Sequence, residues 1–258
     1  VGGLCEGDVV EVFAPRPGSY IQVLYQSRGV VAVSKPAPLP TEPDHAGADS
    51  VLEQLAELLG APRSELHAVS RLDVGVSGVL LVALDNSSRA ELLLLREQGR
   101  LRRRYVALAA GAPEAAEGEW NESLAAGGRR KQTASGPGAR AAQTRYRLVG
   151  SARSVAAGGP GTSLLALSPV TGRTHQLRVH AAAHAAPLLG DRKYGGPARR
   201  TAPDGSVQAF SQIMLHSAWV EWGHHEKVER VTTEPCAALV EVWLSLAGDP
   251  VALQRALD

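Results

Sequence analysis

The sequence predicts an α+β fold organised around a sheet. Three observations carry this. Strand-like and helix-like segments follow one another without the regular β-α-β period that a doubly wound parallel sheet needs. Residues 143–149 and 213–222 alternate in polarity, as half-buried strands do. Residues 79–84 form a short, continuously apolar run behind a glycine-flanked loop, the pattern of a strand buried on both faces.

Composition sets the bounds. A length of 258 residues fits one large domain or two small ones, and no internal repeat is visible. The formal charge is +1, which neither demands nor excludes a polyanionic partner, because local patches matter more than the total. Cys5 and Cys236 lie far apart and form no metal-ligand spacing, so a reducing, cytoplasmic setting is expected, or an organelle in a eukaryote. No apolar run approaches a membrane span and no signal-peptide pattern is evident, so no membrane partner is expected. The first residue is Val, so residues upstream of it are expected.

In chain order, Gly7-Asp8 reads as a turn and residues 9–13 as a short strand. Residues 21–25 and 30–34 read as paired strands joined at Ser27-Arg28-Gly29. Lys35-Pro36 stops the second, since proline lacks a ladder donor. Ser50 with Glu53 is a capping box; Leu52, Leu55, Ala56 and Leu59 give the helix an apolar face, and Gly60 ends it. A second helix is expected from about Ser88 to Gly99, with leucines 92–95 packed on the sheet.

Residues 100–104 hold four arginines and lead into a strand at 105–109. Residues 127–140, rich in Gly, Ser, Arg and Lys, read as a loop, as do 156–162; residues 163–168 read as a strand. A helix is expected over 174–184, with His175 and Arg178 on one face and Leu177 and Ala181 on another. Residues 190–196 read as a turn around Tyr194 and 198–207 as a polar loop. Residues 239–246 are expected as a last strand, and Asp249-Pro250 as the start of a terminal helix.

The chemistry gathers at residues 69–84. Arg71-Leu72-Asp73 with Gly75, Ser77 and Gly78 makes a tight loop that enters the core. A carboxylate there needs a cation or N–H donors to stay ionised. Arg71 is one candidate cation, although side chains two residues apart often diverge. An isolated Asp beside Gly more often simply accepts turn N–H bonds.

This loop resembles the catalytic loop of the RluA-type RNA pseudouridine synthases, which carry Arg-Leu-Asp, three residues, Ser-Gly and an apolar strand. Three further segments agree in order: Ser34-Lys35-Pro36, Tyr105-Val106-Ala107-Leu108, and the long block from Gly172 through Arg173, Thr174, His175, Gln176, Leu177, Arg178 and Val179 to His180, followed by Gly190-Asp191 and Tyr194-Gly195. The resemblance covers nearly all of the chain from about Ile21. It implies the pseudouridine synthase fold: a mixed, largely antiparallel central sheet with flanking helices and a central RNA-binding cleft. It further implies a possible remnant of an S4-like RNA-binding module at 1–18 and a catalytic domain at 19–258. Ser70 departs from the His most members have there, and Val76 from a common Thr.

The implied reaction breaks the N1–C1′ bond of uridine, turns the uracil and rejoins it through C5. Nothing is oxidised, so no cofactor and no metal are expected, and the sequence has no P-loop or dinucleotide fingerprint. The resemblance assigns the essential carboxylate to Asp73, as nucleophile at C1′ or base at C2′. It assigns the partner cation to Arg178, which predicts an Asp73–Arg178 contact, and the active-site aromatic to Tyr105. Leu177, Arg173, His175, Arg71, Arg103 and Lys35 are expected against the substrate. Arg129, Arg130 and Lys131 are candidates for further backbone contact. The expected partner is large-subunit ribosomal RNA or transfer RNA, and the expected state a monomer. Two rivals remain at this stage. A non-catalytic RNA-binding protein of the same fold would not need Asp73, Tyr105 and Arg178 together. A hydrolase would need a second carboxylate that no motif supplies.

Overall fold

The computed structural model describes residues 21–27, 29–43, 49–127, 132–134, 136–153, 161–224 and 227–258. The expected strand at 9–13, the S4-like remnant, the turn residue Arg28, the loop at 156–160 and the basic residues 129–131 lie outside them.

The strands are β1 (Gln22–Ser27), β2 (Val30–Lys35), β3 (His67–Ala68), β4 (Ser77–Ala83), β5 (Leu101–Ala110), β6 (Glu117–Trp120), β7 (Leu124–Ala126), β8 (Gln132–Ala134), β9 (Thr144–Ala152), β10 (Thr162–Pro169), β11 (Arg199–Thr201), β12 (Val207–Ala209), β13 (Leu215–His224) and β14 (Lys227–Thr232). The helices are α1 (Val51–Leu59), α2 (Asn86–Glu97), α3 (Gln176–Ala183), α4 (Ala237–Ser245) and α5 (Pro250–Leu257). The main sheet runs β1-β2-β4-β13-β5-β10-β9-β6, with β14 beside β13 and β3 beside β4. Its pairings are antiparallel except β4 with β13, so the sheet is mixed and largely antiparallel. The late strand β13 thus slots between the strand behind the Asp73 loop and the strand that carries Tyr105.

Strand alternation divides the core. On β5, Tyr105, Ala107 and Ala109 pack on one face with Leu165 and Leu167 of β10, covered by Leu52 and Leu55 of α1 and Leu177 and Ala181 of α3. Val106 and Leu108 face the other way, against Leu239 and Trp243 of α4 and Ala252 and Ala256 of α5. Leu92 and Leu95 of α2 pack beside Leu81 and Trp222. The β4–β13 junction is tight. A Cβ at Gly78 would stand 2.2 Å from Ser217 O, and its φ is +109°, so only glycine fits where the two strands run parallel.

Several sequence expectations are corrected. Residues 239–246 do not form a strand; they belong to α4. Val240, Val242 and Trp243 suggest a strand by residue type, but Leu239, Val242 and Trp243 are buried at helical spacing. The cap of α2 is Asp85, whose Oδ1 accepts Ser88 N–H at 2.7 Å, so the helix starts before Ser88. Within its leucine run, Leu92 and Leu95 are buried while Leu94 is exposed. Residues 198–207 contain β11 and the start of β12, and 132–134 form β8. α3 begins at Gln176 because His175 is in the left-handed region, at φ +56°.

Candidate active site

The Asp73 loop is pinned from several sides. Thr41 Oγ1 donates to Leu72 O at 2.9 Å and accepts Leu72 N–H at 3.1 Å. Val76 N–H donates to Asp73 O at 3.0 Å, and Ile213 N–H to Gly75 O at 3.0 Å. Asp73 therefore projects from a fixed turn into a cleft of about 450 Å³, which is also lined by Tyr105, Leu177, Arg178 and His175.

Arg178 reaches Asp73 across 105 residues of sequence, with Nη1 donating to Oδ2 at 2.7 Å. The same guanidinium makes a two-pronged pair with Asp191: Nε to Oδ2 at 2.7 Å and Nη2 to Oδ1 at 2.8 Å. Asp191 is 1 % exposed and Asp73 27 % exposed by side chain, so one carboxylate is an internal anchor and the other opens to solvent. Burial works against the charge on Arg178, but Asp191 and then Asp73 outweigh it and hold its proton more firmly than usual. The Tyr194 ring lies beneath, 5.0 Å from the Arg178 Cζ.

His175 closes the other side. Its Nδ1 is 2.7 Å from the Tyr194 hydroxyl, which also accepts Gln132 N–H at 2.9 Å. Its Nε2 stands 3.8 Å from Asp73 Oδ1. Burial lowers the imidazole's proton affinity, with Arg178 and Lys193 adding to the effect and Asp73 opposing it. Burial raises that of the Tyr194 hydroxyl.

The other expected contact residues divide. Leu177 is buried in the cleft wall, Arg173 stands exposed at its edge, and Arg103 is buried along it with Nη2 donating to Thr171 O at 3.3 Å. Arg71 is not the cation on Asp73; it sits on the rim 3.7 Å from Glu42. Lys35 is corrected outright. It is 1 % exposed, and Nζ donates to Pro36 O at 3.0 Å and Val74 O at 3.3 Å, so it cannot meet an RNA phosphate from the surface. Burial pulls it down to about 8, although the charge of Asp73 works the other way. The arginine run is split by strand alternation: Arg102 pairs with Glu221, and Arg104 reaches Asp258 O at 3.3 Å and lies over Trp219.

Asp191 was visible in the sequence only as part of the Gly190-Asp191 motif, and Arg96, which also lines the cleft, was not singled out there. Ser70 and Val76, the departures from the family pattern, both line the cleft.

Comparison with known proteins accounts for this arrangement. The family model described as RNA pseudouridylate synthase matches residues 29–183. This chain belongs to that family. The synthase is therefore an isomerase acting on uridine in RNA. It is 34% identical over 217 residues to the dual-specificity RNA pseudouridine synthase RluA of Escherichia coli (strain K12), across 81% of this chain and 94% of that protein. It is 29% identical to the ribosomal large subunit pseudouridine synthase D of Haemophilus ducreyi, across 92% of this chain and 70% of the other. The solved structure of human RNA pseudouridylate synthase domain containing 4 shares the synthase's fold at a TM-score of 0.67 and 22% identity, covering 88% of this chain and 93% of that one.

Proposed function

We propose that Asp73 carries the isomerisation, with Arg178 as its fixed counter-ion and Tyr105 beside the base. The observation that supports this most directly is the guanidinium shared by Asp73 and Asp191. Asp191 fixes Arg178, Arg178 fixes one oxygen of Asp73, and the open side of that carboxylate faces the cleft. A charge-assisted hydrogen bond of this kind sets the direction of the carboxylate.

The chemistry follows from that placement. Asp73 either attacks C1′ as the N1–C1′ bond breaks or removes a proton at C2′. The freed uracil turns in the cleft, held by the ring of Tyr105 and the side chain of Leu177. C5 then bonds to C1′, the C5 proton leaves, and N1 takes up a proton, so atoms balance with no other reactant. The Tyr105 hydroxyl is the proposed group beside the C5 proton as it departs. A uridine stacked in RNA must be turned out to reach this site, at a cost of a few kcal/mol, roughly, and less from a loop or bulge.

Large-subunit ribosomal RNA or transfer RNA is the proposed substrate class; the name of the Haemophilus relative supports the ribosomal part, and the other relative is named only as a dual-specificity RNA enzyme. The test is release of tritium from RNA labelled at C5 of uridine. Wild type should release label and Asp73→Asn should release none while still binding RNA. Equal release by both would remove Asp73 from the mechanism.

A further inference from the structure

Arg96, Arg103 and Arg173 come together on one wall of the cleft, beside residues 171–172. No carboxylate among the described residues pairs with any of them. Their forks are held by main-chain carbonyls instead. Arg96 donates from Nη1 to Val69 O at 3.1 Å and from Nη2 to Gly172 O at 3.4 Å. Arg103 donates to Thr171 O, and Arg173 Nε to Ala141 O at 3.0 Å. Arg103 is only 7 % exposed, yet its Nε–H has no hydrogen-bond partner.

The three cations oppose one another. Burial lowers the proton affinity of Arg96, and the charges of Arg103 and Arg173 lower it further. An anion shared between like charges offsets their repulsion. Gly172 lets the two forks come close: a Cβ there would stand 2.5 Å from Arg96 Nη2 and 3.5 Å from Arg103 Nη2. The uracil ring is neutral and cannot balance three cations. Guanidinium forks match the paired oxygens of a phosphodiester.

We propose that Arg96, Arg103 and Arg173 form a phosphodiester site that grips the RNA backbone next to the nucleotide offered to Asp73. The proposal rests on the RNA-isomerase reading and adds to it a defined point of backbone contact, with Arg96 as its least expected member. The arginines on the opposite face, Arg102 and Arg104, already have partners and belong to the fold.

The test is the salt dependence of RNA binding by the full chain. Affinity is measured across a KCl series for two RNA hairpins of equal length, one with an unpaired uridine and one without, for wild type, Arg96→Gln and Arg173→Gln. Losing one phosphate contact should flatten the slope of log affinity against log salt by about 0.7 to 0.9, and by the same amount for both hairpins. Slopes equal to wild type in both variants, at unchanged melting temperature, would overturn the site. Should Arg96→Gln melt early, having lost its hold on Val69 and Gly172, the exposed Arg173→Gln decides alone. Tritium release by the wild type is followed in parallel. Failure there sinks the isomerase reading and leaves the slopes standing; normal release with unchanged slopes sinks only the phosphate site.

Discussion

Arg178 has five N–H donors, and three of them are taken by two carboxylates. This makes Asp191 a positioning residue for a group it does not touch. Removing it leaves a buried guanidinium with half its partners, and breaking a buried pair costs on the order of 3 kcal/mol. Asp191→Ala should therefore lower stability by about that amount in urea titration, and should reduce tritium release at a permissive temperature where the variant is folded. Full activity in a folded Asp191→Ala protein would show that Asp73 is oriented some other way. The contact between Asp73 and Arg178 was legible in the sequence through the family motif. The part played by Asp191 was not, because nothing in a Gly-Asp turn reveals that its carboxylate faces inward. Lys35 misled for the opposite reason: lysine beside proline reads as a surface loop charge, and only the packing of Val74 and Pro36 around it shows otherwise.

At the level of elements, the junction of β4 and β13 holds the Asp73 loop against the sheet. Two measurements probe it. Gly78→Ala places a methyl on the Ser217 carbonyl at a positive φ, and should destabilise by several kcal/mol, roughly, or prevent folding. A near-native melting temperature would mean the strands can part at little cost. The second is a titration. His216 Nδ1 lies 2.9 Å from Ser77 Oγ across this junction, and burial lowers the imidazole to about 4. A folded pKa below the unfolded one means that the unfolded chain binds the proton first. Stability from this group is thus complete above about pH 6.5 and falls as pH drops toward 4, by about 3 kcal/mol in all. The advantage of wild type over His216→Asn, followed by urea titration, should shrink across that window; a constant gap would sink the account. Most elements were readable from period and caps, as Ser50 and Asp249 illustrate. The exception was α4. Its local composition favours a strand, and what makes it helical is the face of the sheet it must cover, which is tertiary information.

At the scale of the molecule, the faces of one sheet carry every major packing cluster. Trp120 belongs to the cluster with Tyr105, Trp219 and Trp243 to the one beneath α4 and α5, and Trp222 to the one beside α2. Tryptophan fluorescence and far-ultraviolet circular dichroism should then follow the same urea transition, and separate midpoints would show the faces melting independently. The mixed fold class was evident from the irregular order of strand and helix. The insertion of β13 between β4 and β5 was not, since pairing partners far apart in sequence leave no local pattern. That insertion brings Asp73 and Tyr105 onto neighbouring ground, and with them comes a sorting of formal charge. Two acids, Asp73 and the buried Asp191, stand with two bases, Arg178 and the buried Lys35 that is bonded to the Asp73 loop at Val74 O, so formal charge is balanced around Asp73. An uncharged pyrimidine can settle there without disturbing it. Deprotonating Lys35 above about pH 8 removes one positive charge near Asp73, so alkaline conditions disfavour any anionic species formed beside that carboxylate as the glycosidic bond opens.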